Sequence, residues 1–332
     1  MIRRVKIEGF KNFSNEDLQI KPFTLVTGRN STGKSSLLQA ILMTQTDSDA
    51  KLFFKNQLKI DFSQSRNRYE NAKEIKIEVE NSSGSKSISI KDGEVEQDIR
   101  DSFPSLEKNM FYLSANRIGA ENVVIPSSEI ICGPNGEALI SSFEKNKSLA
   151  LDNDLITDRE SYTLNSQVNY WLSYIMGIKL ALSTEDRTTQ IEVRYSSDGL
   201  PGVLPSQLGA GVSYVAKIVI LCLLSKRGDV IMIENPEIHL YPLAQCKLAE
   251  FLTFIVNAGR QLIVETHSND LITKVRYEIY KGKLNSNDVE VLYKEDILNR
   301  FKNIGISPNG EFSEEFPETF FDATLRELLE MD

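Results

Sequence analysis

The stretch GRNSTGKSS, from Gly28 to Ser36, has the residue types and spacing that phosphate chemistry requires. It fits G-x-x-x-x-G-K-[ST] at every fixed position. In this spacing the glycines let backbone N–H groups turn inward around phosphate oxygens. Lys34 reaches the β and γ phosphates, and the Ser35 hydroxyl can ligate Mg²⁺. Asn30, Ser31, Thr32, Gly33 and Ser36 complete the expected nucleotide-binding set. A chance match in a serine-rich loop is the bland alternative, and the flanking pattern weighs against it. PFTLVTG reads as a strand entering the loop, and KSSLLQAILMTQ as a helix leaving it.

Three further stretches could do chemistry. LGAGVSYV, from Leu208, puts Gly209, Gly211 and Ser213 at the start of a long helix, where bare backbone donors can face an anion. By itself, such a start is more often a turn or packing device. In VIMIENPEIHLYP, four apolar residues run into the acid Glu234, and Asn235 follows. Arg117, in YLSANRIG, carries a fixed fork of donors that could reach phosphate or a partner subunit, or form a surface salt bridge.

The elements that must position these residues can be read from their periodicity. RRVKIEGF and PFTLVTG are strands; EIKIEVEN and SKSISIKDG form an antiparallel hairpin around SSG. After DGLPGVLPS come helix GVSYVAKIVILCLLSK, strand DVIMIE, helix LYPLAQCKLAEFLTFIVNAG, strand RQLIVETH and helix NDLITKVRYEIYK. This alternation implies a parallel sheet covered on both faces. VEVLYKED and FKNIGISPNGEFS then read as strands with a Pro-Asn-Gly turn, and FDATLRELLEMD as a short amphipathic helix. The expected division is a nucleotide-binding core over 1–60 and 201–295, and an antiparallel β lobe with an insertion or lid over 61–200. A C-terminal β-turn and helix occupy 296–332. Trp171, with Tyr170, Tyr174 and Met176 at helical spacing, reads as core packing.

Composition narrows the partners. A net charge of −9 argues against a surface that binds nucleic acid over its whole extent, and leaves a local patch open. Cys132, Cys222 and Cys246 have no metal-type or disulfide-type spacing, which fits a reducing cytoplasm. No stretch of 18 apolar residues appears, so no membrane association is expected. No heptad run is long enough for a coiled coil.

Taken in order, GRNSTGKSS, LGAGVSYV, IMIENPEIHLYP and IVETHSND resemble a RecF/SMC-like, ABC-type P-loop ATPase. The pattern is similar to bacterial AAA family ATPases grouped with the OLD family and with ATPase subunits of phage-defence systems. FYLSANRIG and EEFPETFFD further resemble a less characterised bacterial subgroup. The implied fold is α/β, a P-loop NTPase of the ABC-ATPase type. It has a mixed sheet flanked by helices, a helical or irregular insertion and no long coiled coil.

The resemblance implies a nucleotide sandwich, a homodimer in which Gly209, Gly211 and Ser213 of one subunit contact the γ-phosphate held by Lys34 of the other. It places Glu234 as the acid that holds Mg²⁺ together with Ser35, and His267 as a switch residue on the γ-phosphate. His239 is read as a subunit contact. Asn235 departs from the pattern, because many relatives have a glutamate there. An amide can orient water but cannot accept its proton at neutral pH, so slow ATP hydrolysis is expected. Glu237 is the nearest spare carboxylate; it either assists catalysis or begins the following turn.

The leading expectation is an ATP-operated dimer serving as sensor or regulatory subunit in anti-phage defence, with a separate nuclease or toxin-like effector. A RecF-like ATPase that binds DNA ends is the alternative within the same class. A small-molecule P-loop kinase is the alternative from another class, and it would not need the turn at Gly211.

Overall fold

The computed structural model describes residues 1–45, 65–91, 94–100, 103–127 and 129–314. The helix expected over Phe321–Asp332 lies outside them. At the centre is a six-stranded sheet. Its parallel strands are β3 (Phe23–Gly28), β7 (Met110–Leu113), β12 (Val230–Glu234), β13 (Gln261–Glu265) and β14 (Val289–Lys294), and β15 (Lys302–Ile304) runs antiparallel on one edge. The spatial order is β15-β14-β3-β13-β12-β7. Every residue of the five parallel strands is buried. This explains the apolar runs MFYL of β7, VIMI of β12 and LIV of β13, since a parallel sheet is covered on both faces.

The two faces feed different cores. Ile231, Ile233, Leu262 and Val264 pack with α2 (Leu139–Asn146), α3 (Leu164–Met176), α4 (Ala210–Leu224), α5 (Pro242–Asn257) and α6 (Asn269–Tyr280). Val230, Met232 and Ile263 point the other way, onto α1 (Lys34–Met43) and a five-stranded antiparallel sheet. That sheet has the order β2-β1-β4-β5-β6. Its strands are β1 (Ile2–Phe10), β2 (Phe13–Gln19), β4 (Glu74–Asn81), β5 (Ser85–Lys91) and β6 (Glu94–Arg100). Period-2 alternation thus assigns neighbouring residues of one strand to opposite layers.

The layers do not follow contiguous sequence. The antiparallel sheet takes two strands from the first nineteen residues, and β7, from within 61–200, joins the central sheet. The same span also holds β8 (Val123–Val124), β9 (Leu180–Asp186) and β10 (Ile191–Ser197) of a small sheet whose last strand, β11 (Leu200–Val203), runs past its end. β10 alternates plainly, with Ile191, Val193 and Tyr195 buried and Glu192 and Arg194 turned outward, and β9 buries Leu180 and Leu182 beside them. α3 shields the outer edge of β9: Ser173 Oγ donates to Leu180 O at 2.7 Å, and Asn169 Oδ1 accepts Leu182 N at 2.8 Å. Side-chain partners of this kind block edge-to-edge pairing. Thr163 caps the start of α3, and Gly177 ends it in the left-handed conformation. Trp171 packs against Phe251 and Phe254, as its spacing suggested.

All five parallel strands end at the same edge of the sheet. In register, Glu234 lies beside Glu265, Glu265 beside Val26, and Gly28 beside Lys294. The carboxyl edge of such a sheet is where α/β proteins assemble their ligand sites.

Candidate functional site

The phosphate loop leaves β3 at Gly28 and enters α1 at Lys34. Gly28 and Gly33 have φ of 138° and 105°, and Ser31 has φ of 63°. Space restricts the glycines as well: a Cβ on Gly28 would lie 2.0 Å from Lys294 O, and one on Gly33 would lie 2.5 Å from Asn12 Oδ1. Asn12 braces the loop, donating from Nδ2 to Thr32 O at 2.7 Å and to Ile297 O at 2.9 Å. No side chain caps the start of α1 and no acid stands in its first turn. Its first N–H groups, with the helix dipole behind them, are therefore available to an anion.

Beside the loop lies a cavity of about 710 Å³ lined by Asn30, Ser31, Gly33, Lys34, Ser35 and Ser36 from the loop, and by Asn235, Glu265 and His267 from other strand ends. Lys11, Asn12, Tyr69 and Ile297 complete the wall. Lys34 is buried and donates from Nζ to Arg29 O at 2.6 Å. Burial lowers its pKa, and the Glu265 carboxylate partly offsets this. His267 has its pKa lowered by burial and by Lys34, which favours the neutral imidazole.

Glu265 was not singled out from the sequence. It ends β13 facing the loop: Ser35 Oγ donates to its Oε1 at 3.0 Å. Its Oε2 is buried and finds no hydrogen-bond partner among the described residues. Burial, then the nearby Glu234, push its pKa up to about 7. A signal was present, because LIVE in β13 repeats the pattern of IMIE in β12, and the two glutamates are in register.

Glu234 turns toward β7. Its Oε1 accepts from the Tyr112 hydroxyl at 2.8 Å and its Oε2 from Ala115 N at 3.1 Å. Asn235 has φ of 43°, a left-handed conformation that Asn tolerates better than most residues. Its N–H donates to Glu265 O at 2.7 Å, so the residue ties the ends of β12 and β13 together. Glu237 takes part in the same tie. Its Oε2 accepts from Thr266 Oγ1 at 2.9 Å and its Oε1 from His267 N at 2.8 Å, with Asn235 Nδ2 at 3.4 Å.

The remaining sequence-selected residues lie away from the cavity wall. Gly209 is exposed, and an added Cβ would meet no described atom within 4 Å. Gly211 is buried against the next loop: a Cβ there would lie 2.6 Å from His239 O. The Ser213 hydroxyl is buried and bonded to Tyr195. Arg117 is 2% exposed, and its donors go to backbone carbonyls: Nη1 to Ser114 O at 2.9 Å and Glu234 O at 2.7 Å, Nη2 to Asn235 O at 2.5 Å. Its guanidinium also lies 5.3 Å from the Tyr214 ring, and Tyr214 in turn contacts His239. Arg117 therefore links α4 to the end of β12.

The groups present fit a magnesium nucleotide. The uncapped loop suits phosphate, and a hydroxyl beside a carboxylate with a spare oxygen supplies the hard donors that Mg²⁺ takes. Among the described residues, no three His, Cys, Asp or Glu side chains form a metal cage.

A phosphate loop on β3, an acidic strand β12 one strand away, and β13 between them define an ABC-type P-loop ATPase of the RecF/SMC-like kind. The chain belongs to the AAA_21 family, described as "AAA domain, putative AbiEii toxin, Type IV TA system", which matches residues 23–273. No curated protein matches it in sequence. Among solved structures, the fold is similar to an SMC head bound to the C-terminal winged-helix domain of ScpA. That likeness has a TM-score of 0.60 and 12% identity, and covers 92% of this chain and 98% of the other. An SMC head with an extended coiled coil, from a complex with a ScpA C-terminal domain derived from Pyrococcus furiosus, has a TM-score of 0.58 and 10% identity, with 99% of each chain covered. At such identities the likeness concerns the fold.

Proposed function

We propose that the protein is a slow ATPase that dimerises head to tail around ATP and acts as the sensor or regulatory subunit of an anti-phage defence system with a separate effector. One observation carries the reading. Lys34, Ser35, Glu265, Asn235 and His267 share one cavity, while the Gly209 turn stands exposed elsewhere on the same chain. A second copy related by a two-fold axis would bring its Gly209 turn to that cavity, completing a site that one chain leaves open.

In this reading the loop N–H groups and Lys34 hold the triphosphate, and His267 faces its terminal phosphate. Bound Mg²⁺ would neutralise phosphate charge, held by Ser35 and a strand-end carboxylate. Asn235 can orient water without taking its proton, which favours a long-lived closed state. The family description, with its AbiEii toxin and type IV toxin–antitoxin terms, supports a role in a toxin–antitoxin type of defence system.

Lys34→Ala is expected to weaken ATP binding by at least about 10-fold in calorimetry, given the loss of a charged phosphate contact. In an Asn235→Ala background, ATP with Mg²⁺ should double the mass measured by light scattering. Unchanged affinity in the first experiment, or unchanged mass in the second, overturns the reading.

A further inference from the structure

We propose that Glu265, at the end of β13, is the carboxylate that directly ligates the magnesium ion, and that Glu234 serves as a brace. The proposal rests on the nucleotide-binding reading and departs from the expectation that the acid of β12 performs this task.

The two glutamates lie side by side in register, yet their surroundings differ. Both carboxylate oxygens of Glu234 are engaged, one by the Tyr112 hydroxyl and one by Ala115 N. Turning this carboxylate to a metal would break bonds of a charged acceptor and leave the buried Tyr112 hydroxyl unpaired. Glu265 has the opposite arrangement. It lines the phosphate cavity, which Glu234 does not, and it is 4% exposed. Oε1 already holds the Ser35 hydroxyl, and buried Oε2 finds no partner among the described residues. A buried unpaired carboxylate oxygen is costly, and it calls for an ion or water to satisfy it.

The spacing supports the same choice. Adjacent ligands of an octahedral Mg²⁺ with bonds of about 2.0–2.1 Å lie about 2.9 Å apart. The Ser35 Oγ to Glu265 Oε1 separation is 3.0 Å. The hydroxyl and carboxylate therefore stand close to the separation at which they could share one ion.

The test uses binding rather than turnover. Affinity for a non-hydrolysable ATP analogue is measured by calorimetry with Mg²⁺ and with EDTA, for the wild type, Glu265→Gln and Glu234→Gln. Mn²⁺ bound in the presence of the analogue is counted by electron paramagnetic resonance. The wild type should bind more tightly with Mg²⁺. Glu265→Gln should lose that gain by at least about 10-fold and lose bound Mn²⁺, while keeping its affinity in EDTA. Glu234→Gln should retain most of the gain, because a glutamine oxygen still accepts from Tyr112 or Ala115. A normal metal gain in Glu265→Gln, or a loss as large in Glu234→Gln, overturns the assignment. Absence of analogue binding by the wild type would instead refute the nucleotide reading itself. Circular dichroism and unfolding temperature establish that each variant is folded, and retained EDTA affinity shows that the phosphate loop is intact.

Discussion

At the scale of single residues, Asn235 answers two demands. As an amide it cannot take a proton from water, and as an asparagine it suits a backbone φ of 43°. Its carbonyl is gripped by Arg117 and its N–H by the Glu265 carbonyl, so the local conformation is set from both sides. Asn235→Glu should therefore raise kcat by about 10-fold or more, in keeping with a gained general base. It should cost about 1 kcal/mol of stability for the left-handed conformation, read by urea unfolding. An unchanged kcat would mean that Asn235 does not face the attacking water.

At the scale of elements, the start of α4 separates two glycines with different tasks. Gly211 lets the helix pack against the loop that follows β12, since a Cβ would meet His239 O at 2.6 Å. Gly209, with φ of −58° and open space around it, has no such reason within the chain. Gly211→Ala should thus lower stability by about 1–3 kcal/mol through overpacking. Gly209→Val should stay within about 0.5 kcal/mol of wild type yet abolish ATP-dependent association. Normal association of Gly209→Val in light scattering would remove this turn from the interface. Arg117 couples the same two elements, joining the β12 carbonyls to Tyr214 of α4.

At the scale of the whole molecule, a head-to-tail dimer makes each site from two chains, with the phosphate loop of one and the Gly209 turn of the other. Lys34→Ala and Gly209→Val should each fail to dimerise with ATP when alone. Mixed in equal amounts, they form a pair in which one site has both its parts, so ATP-dependent mass should reappear in part. If the mixture remains monomeric, the two residues do not act across a shared site.

The sequence alone was enough for the phosphate loop, because every determinant lies within GRNSTGKSS and the strand and helix beside it. It also determined the alternation of strands and helices after residue 208, where long apolar runs mark buried strands. Other features depended on pairings distant in the chain. Glu265 meets Ser35 only because β13 lies between β3 and β12, and no local pattern encodes that strand order. Arg117 looked like a phosphate or surface residue until the fold brought β7 next to β12 and offered it carbonyls. The small sheet of β8 to β11 was legible only in part: Ile191, Val193 and Tyr195 alternate in β10, but its pairing with β8, far back in the chain, has no local signal. Local chemistry could be read from spacing, whereas the choice between Glu234 and Glu265 belonged to tertiary structure, because it depends on which oxygens the neighbouring strands have already engaged.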